Sequence, residues 1–281
     1  MSKNTIKTYV LLAALGGFLV LAGSFFGRGG AVIGLVIGLV FVGGSYWFSD
    51  KLAIAASRSK PVSEQDQPRL YAIVRELTTQ ANMPMPKVYI SPSPQPNAFA
   101  TGRNESRAAV AVTEGLLQIL DESELRGVLA HELAHVKNKD ILIGSVAAAI
   151  AMGITFIARM AMWGAMFGGG RDDEGGNPLG LLAMAILAPV AAFLLQAAVS
   201  RSREYEADRS GAGLIGYGEP LARALEKIQA GAKQVPMNVH PAQATMYIVN
   251  PLTGRKVSFA GLFSTHPPVE ERVARLRSWR P

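Results

Sequence analysis

Two histidines with a glutamate between them impose the strongest constraint on how this chain folds. Residues 131–135 read HELAH, so His131 and His135 stand four residues apart with Glu132 beside the first. On an α-helix this spacing places both imidazoles on one face, about 5–6 Å apart at Cβ. Two imidazoles in that position can share one zinc ion at about 2.0–2.1 Å each. The neighbouring carboxylate can then take a proton from a water molecule that the metal activates.

The residues before the motif predict the helix that this chemistry needs. Asp121 is suited to the N-cap position, and Glu124, three residues later, completes a capping box. Apolar residues follow through the motif at a spacing close to 3.6, which is typical of a helix. We therefore predict a helix over residues 121–139. The chain has no cysteine, so any zinc must be held by histidines and carboxylates.

A pair of carboxylates further along the chain is the best source of a third metal ligand. A catalytic zinc ion usually has three protein ligands and keeps its fourth position for water. In the run SRSREYEAD, Glu204 and Asp208 stand four residues apart and share one helical face. Glu204 can bind the metal while Asp208 accepts a hydrogen bond from a ligand histidine. A solvated helix with Arg–Glu pairs explains the same residues, and spacing alone leaves both interpretations open. Of the spare histidines, His240 and His266, we interpret His240 as structural.

Four apolar segments predict a chain that crosses a membrane. Hydrophobic residues make up 49% of the chain and charged residues only 17%, which is apolar for a soluble protein of this size. Each segment has about 18 residues or more, near the length that spans a bilayer core. They are Tyr9–Phe26, Ala31–Phe48, Ile141–Phe167 and Pro178–Val199. The alternative interpretation of the first segment is a signal peptide that is cleaved off. The alternative interpretation of the third and fourth segments is a helical hairpin buried in a soluble domain.

The basic residues beside these segments predict an orientation. If all four segments cross, the basic clusters fall on one side, and their members are Lys3, Lys7, Lys51, Arg58, Lys60, Lys137, Lys139, Arg201 and Arg203. Basic residues near spans face the cytoplasm, so both termini and both polar regions are predicted to be cytoplasmic. The net charge of +7 follows these flanks and does not form a patch with aromatic residues. This favours a lipid bilayer over nucleic acid as a partner.

The polar parts of the chain predict a mainly α fold with a small β-sheet, of the α+β class. Apolar periodicity predicts a helix over 63–82, and β-forming runs predict strands at 87–90 and 108–113. The predicted parts are an N-terminal transmembrane hairpin (1–50), a catalytic region with the small sheet and the HELAH helix (51–140), a second apolar hairpin (141–199), and a catalytic region with the third ligand and C-terminal helices (200–281).

Three runs, in order, carry a family resemblance. HELAHVKNKD, an apolar hairpin, SRSREYEAD and then THPPVEERVARL together resemble the HtpX family of bacterial membrane zinc metalloproteases, relatives of the CAAX prenyl endopeptidases. The resemblance covers essentially the whole chain. It implies a gluzincin-type domain with one zinc ion per chain, held by His131, His135 and Glu204. It also implies that Glu132 is the general base and that Asp208 supports the ligands.

The resemblance extends to the substrate side of the site. It implies that His266 stabilises the tetrahedral intermediate, although Thr265–Pro268 is also a good helix start with proline in the first turn. It places Asn97, Ala98 and Phe99 in the segment that leads into the active-site edge strand. A substrate can bind at such an edge as an added strand.

The implied function is quality control of misfolded or damaged membrane proteins at the cytoplasmic face of the bacterial inner membrane. The partners are then unfolded or membrane-protein polypeptides and the bilayer itself. His135 lies six residues before the third apolar segment and Glu204 five after the fourth, so both are within about 10 Å of the apolar segments at the helical rise. A zinc-stabilised scaffold or chaperone without hydrolysis is one alternative, but it has no use for Glu132. A prenyl-protein processing enzyme is another, but it needs more spanning helices than four segments supply.

Overall fold

The computed structural model describes residues 27–148, 150–151, 201–235, 246–251 and 267–281, with isolated positions among the first 26 residues and at 244. Some of the predicted features lie outside the described residues: most of the first and third apolar segments, the whole of the fourth, His240 and His266.

The described elements form a mainly α arrangement with a four-stranded sheet, as the sequence predicts. In chain order they are α1 (Gly27–Ala56), β1 (Lys60–Pro61), α2 (Pro68–Gln80), β2 (Lys87–Ser91), β3 (Ala98–Thr101), β4 (Ala109–Thr113), α3 (Glu114–Ile119), α4 (Glu122–Lys137), α5 (Arg201–Ile215), α6 (Glu219–Gln234) and α7 (Val269–Ser278). A short 3-10 turn, Glu105–Arg107, lies between β3 and β4.

The sheet has the order β1-β2-β4-β3, which leaves β3 at an edge. Strands β2 and β4 are parallel, and the other two pairs are antiparallel. The backbone of Ala98 faces the outer side of β3, where its carbonyl accepts a hydrogen bond from Ile248 N–H at 3.0 Å. Part of this edge is therefore covered by the chain's own segment 246–251.

Helix α2 is shorter than the predicted range 63–82 because a side-chain turn precedes it. The backbone N–H and the hydroxyl of Ser63 both donate to Asp66 Oδ2, at 2.9 and 2.6 Å. Pro68 then enters the first turn of the helix, a position where proline is tolerated because that N–H has no helical partner.

Helix α4 begins where the sequence predicts it to begin. Glu124 N–H donates to Asp121 Oδ1 at 2.9 Å, and Asp121 N–H donates to Glu124 Oε2 at 2.9 Å, so the capping box is complete. After the helix, Lys139 adopts a left-handed conformation with φ 58°. This reverses the chain, and Asp140 N–H donates back to His135 O at 3.2 Å. The turn fixes Asp140 directly beside the second histidine of the motif.

A glycine sets the distance between α4 and α5. A Cβ atom on Gly211 would lie 2.9 Å from the backbone nitrogen of His131, closer than side-chain carbons approach in real structures. The two helices therefore meet backbone to backbone at the motif itself. This close approach brings the side chains of Glu204 and Asp208, on α5, within reach of the motif histidines.

The surface of α1 is strongly apolar. Its exposed large side chains include Val32, Ile33, Leu35, Val36, Ile37, Leu39 and Val40. They belong to the second apolar segment, Ala31–Phe48, which lies within α1. No helix in the described part of the chain combines the length and the apolar character that crossing a bilayer needs.

Candidate metal centre

Helices α4 and α5 bring three predicted metal ligands together. The Nε2 atoms of His131 and His135 are 3.1 Å apart. Glu204 Oε1 lies 3.6 Å from His135 Nε2, and Glu204 Oε2 lies 4.0 Å from His131 Nε2. One donor atom from each residue can be chosen so that all three fall within 4.8 Å of one another. His131 and Glu204 are buried, and the side chain of His135 is 17% exposed.

The spacing of these donors fits one zinc ion. Two imidazole nitrogens and one carboxylate oxygen are an established ligand set for catalytic zinc. Tetrahedral ligands at bond lengths of about 2.0–2.1 Å stand about 3.3 Å from one another. Two of the observed separations lie close to that value: 3.1 Å between the two histidine nitrogens and 3.6 Å from His135 Nε2 to Glu204 Oε1. Two imidazole nitrogens that face each other at 3.1 Å also need a proton or a cation between them, because their lone pairs repel.

Asp208 lies directly behind the first histidine. Its Oδ1 is 2.9 Å from His131 Nδ1, so the carboxylate accepts a hydrogen bond from the N–H at that position and leaves Nε2 free to bind a metal. Burial raises the pKa of Asp208, but Arg272 and His131 outweigh this effect and hold the pKa at about 2. The carboxylate therefore remains charged at neutral pH.

Arg272 is a buried residue of α7 that no sequence motif singles out. Its Nε donates to Asp208 Oδ2 at 2.8 Å, and its Nη2 donates to Asp208 Oδ1 at 2.7 Å. Its Nη1 donates to Ile248 O at 2.8 Å and lies 3.7 Å from Glu204 Oε2. The residue stands in the quoted run VEERVARL, but no spacing rule separates it from the neighbouring arginines.

Asp140 was also missed. Its Oδ2 lies 3.1 Å from His135 Nδ1, so it orients the second histidine as Asp208 orients the first. An acid five residues after the motif was the available signal, but its position depends on the left-handed turn at Lys139. Burial alone would lower the pKa of His135. The carboxylates of Asp140, Glu204 and Glu132 raise it instead, to about 10.

Glu132 is buried between the edge strand and the metal ligands. The N–H group of Ala100, on β3, donates a hydrogen bond to its carboxylate. Burial raises the pKa of Glu132 to about 7, while His135 and the Ala100 N–H act against this rise. A carboxyl group with a pKa near the working pH is well matched to general-base chemistry.

The three residues predicted to contact substrate are covered by segment 246–251. Asn97 Nδ2 donates to Val249 O at 2.8 Å, and Ala98 O accepts from Ile248 N–H. The Phe99 ring packs edge-on against Tyr247 with 5.2 Å between centroids. All three are buried, and their role in binding substrate stays a prediction. The predicted role of His266 lies outside the described residues.

An open cleft gives access to the site. Its volume is about 520 Å³, including the space at its mouth that is open to solvent. Beside the metal-ligand candidates and Glu132, it is lined by Ala100 of β3, by Met246–Ile248 and by Arg203 of α5. The cleft therefore connects the metal-ligand candidates with residues of β3 and α5.

We expect zinc binding to displace a proton from His135. In the metal-free protein the pKa of His135 is about 10, so the imidazole carries a proton at neutral pH that a metal must replace. Because the proton is bound only in the metal-free state, affinity must increase with pH. The apparent zinc affinity should rise by about tenfold per pH unit between pH 7 and pH 9, measured by competition with a chelator of known affinity.

Asp140→Asn provides the matched comparison for that measurement. The neutral amide no longer raises the pKa of His135, so the increase in zinc affinity should level off at a lower pH. Its maximum should also be about 10- to 100-fold lower, because the histidine loses its orienting carboxylate. A native affinity that is flat above pH 7 would contradict the assignment of the displaced proton to His135.

The site has the parts of a metallopeptidase. One helix carries two histidines, a second helix supplies a carboxylate, and a buried glutamate lies beside them in an open cleft. Residues 64–280 match the model of peptidase family M48. The chain belongs to this family of zinc metallopeptidases and is a metalloendopeptidase, so its substrates are polypeptides.

Relatives that are similar over nearly their whole length carry one name, "Protease HtpX homolog". The relative from Syntrophobacter fumaroxidans is 56% identical and is matched over 98% of this chain and 99% of its own. The relative from Pelotomaculum thermopropionicum is 54% identical and is matched over 98% of this chain and 99% of its own. The relative from Burkholderia thailandensis is 49% identical and is matched over 97% of this chain and 96% of its own. The resemblance to the HtpX family is thereby confirmed.

A solved structure shares the fold. The crystal structure of Ste24p from S. mikatae superimposes with a TM-score of 0.51 at 20% sequence identity, over 97% of this chain. The match spans 64% of the length of that chain. At this identity, the likeness shows the fold alone.

Proposed function

We propose that this chain is a membrane-embedded, zinc-dependent endopeptidase that cleaves misfolded or damaged membrane proteins at the cytoplasmic face of the bacterial inner membrane. The observation that carries the proposal is the convergence of His131, His135 and Glu204 beside the buried carboxylate of Glu132. Each chain would hold one zinc ion on the three ligands. Membership of peptidase family M48 supports the hydrolytic part of the proposal.

Each residue of the cleft has a separate role in the proposed hydrolysis. When bound, zinc supplies a positive charge that polarises the scissile carbonyl and acidifies the attacking water. Glu132 accepts the proton of that water and passes it to the leaving amine, and its pKa of about 7 suits both transfers. Asp208 and Asp140 hold the two imidazoles with Nε2 toward the metal position. His266 would stabilise the tetrahedral intermediate.

Placement in the membrane rests on the distribution of apolar and basic residues. The exposed apolar side chains of α1 support contact with lipid, since a patch of this kind needs a cover. With four spans, the basic flanks put both termini and both polar regions in the cytoplasm. The metal position, near the ends of the third and fourth apolar segments, then lies just inside the cytoplasmic surface. No nucleic acid takes part in this function.

A topology reporter fused directly after Phe48 is expected to read as cytoplasmic. Two crossings separate this point from a cytoplasmic N-terminus, and basic residues follow it at Lys51, Arg58 and Lys60. Neutral replacements of these three, together with Lys3 and Lys7, should shift part of the population to the opposite orientation. A periplasmic reading in the native chain would contradict the proposed orientation.

Cleavage by the purified protein is expected to depend on zinc. Detergent-purified enzyme should cleave casein or an unfolded membrane protein, lose this activity with a chelator, and regain it when zinc is added back. Client binding that survives chelation without any cleavage would instead favour the non-hydrolytic scaffold. That second candidate assigns no role to the buried Glu132, which counts against it.

A further inference from the structure

Arg203 is a cationic residue in the lining of the metal cleft, and its terminal nitrogens make no hydrogen bond to the described residues. It precedes Glu204 on α5 and lines the same cleft as the metal-ligand candidates. Both terminal nitrogens, Nη1 and Nη2, are shielded from solvent and have no hydrogen-bond partner among the residues that the structure describes. Arg272, in contrast, directs its donors to Asp208 and to a backbone carbonyl.

A guanidinium whose terminal nitrogens are shielded from solvent needs a hydrogen-bond acceptor. Burying a cation without hydrogen bonds is costly, and buried donors without partners are rare in native proteins. Burial lowers the pKa of Arg203, while the nearby carboxylates of Asp140 and Glu204 act to raise it. These carboxylates compensate the charge of Arg203, but neither accepts a hydrogen bond from Nη1 or Nη2. The two donors are therefore available to a group that enters the cleft.

The surrounding charges indicate which kind of group this is. Asp140 and Glu204 already compensate the positive charge, so the position does not favour a second anion. A neutral, strong acceptor fits better, and a peptide carbonyl is the neutral acceptor that every polypeptide substrate presents. Ala100 of the edge strand lines the same cleft as Arg203, so we expect a peptide bound in the cleft to present its main chain to Arg203.

We propose that Arg203 is a substrate-binding residue. Its two terminal nitrogens donate hydrogen bonds to a main-chain carbonyl oxygen of the substrate, next to the scissile bond. The inference rests on the proposed function and adds a residue to it. Because main-chain carbonyls are common to all sequences, Arg203 holds a substrate without selecting its side chains. This suits an enzyme that meets many different damaged polypeptides.

Two replacements of Arg203 test the proposal, with a control on the same helix. Arg203→Met keeps the length of the side chain and removes its donors; Arg203→Lys keeps the charge but not the two-pronged donor. We expect kcat/KM for a fluorogenic peptide to fall about 10- to 100-fold in Arg203→Met, mostly through KM, with a smaller fall in Arg203→Lys. The exposed Arg209→Met should match the native enzyme. None of the three variants should lose zinc or thermal stability.

A pair of peptides distinguishes main-chain from side-chain recognition. One peptide carries neutral residues around the cleavage site, and its partner carries glutamate there. Equal losses for both in Arg203→Met support the proposal, and a loss confined to the acidic peptide overturns it. Loss of zinc in Arg203→Met with unchanged KM in Arg203→Lys would also overturn it, since Arg203 would then support only the metal ligands.

Binding without cleavage separates this inference from the proposed function. In zinc-loaded Glu132→Gln protein, adding Arg203→Met should raise the dissociation constant of the neutral peptide about tenfold or more. Failure of the native enzyme to cleave would remove the proposed function, whereas this comparison still tests Arg203. An unchanged dissociation constant would overturn the inference alone.

Discussion

Replacing Glu132 with glutamine is expected to abolish cleavage while zinc remains bound. The amide keeps the shape of the carboxylate and can still accept the hydrogen bond from Ala100 N–H, so the buried site should keep its structure. It cannot take a proton at any working pH. Loss of a positioned general base typically costs about 10²- to 10⁴-fold in rate. The measurement is kcat/KM on a fluorogenic peptide, together with zinc content by atomic spectrometry.

Glu122→Gln is the matched control for this experiment. Glu122 lies on the same helix, but its side chain is exposed and pairs with the exposed Arg69 at 3.1 Å. This variant should cleave at the native rate. If Glu132→Gln retains full activity with zinc bound, the assignment of the base is wrong.

Arg272→Met should cause the largest loss of stability among single substitutions around the site. The methionine fills much of the same space but leaves the buried carboxylate of Asp208 without its two short hydrogen bonds. Removing one partner of a buried ion pair costs about 3–5 kcal/mol, because the other charge is left uncompensated. The free energy of unfolding of the detergent-solubilised protein, from denaturant titration, measures the effect.

Arg275→Met, one turn away on α7, separates this effect from the general loss of an arginine. Its guanidinium is exposed and pairs with Glu271 at 3.1 Å, an arrangement worth about 0.2–1 kcal/mol. Adding Asp208→Asn to Arg272→Met should recover part of the stability, since the buried charge is then absent. Equal, small effects of the two arginine variants would contradict the role given to Arg272.

The sequence predicts those parts of the site that depend on one helix at a time. The HELAH spacing, the capping box at Asp121 and the four-residue step from Glu204 to Asp208 are all local, because helical geometry alone fixes which side chains share a face. The bounds of α4 and the mainly α class follow from the same periodicity. Which carboxylate meets which histidine required the close contact at Gly211, which no local pattern reveals.

The residues that the sequence did not predict are placed by turns and long-range packing. Asp140 reaches His135 only because Lys139 adopts a left-handed conformation. Arg272 contacts a histidine 141 residues earlier in the chain, through the packing of α7. The covering of Ala98 by Ile248 is equally remote. Periodicity and spacing carry no information about such contacts, so a derivation from sequence stops before them.

The narrow contact at Gly211 joins two stretches of chain that are separated by the long apolar insertion 141–199. An ion held by His131, His135 and Glu204 would bind both stretches at once, so metal supply and folding become coupled. Zinc at a hundredfold excess over its dissociation constant would add about 2.7 kcal/mol to the stability of the folded state. A cell short of zinc would then lose the protein as well as its activity, because the empty form opens more often and is itself exposed to degradation.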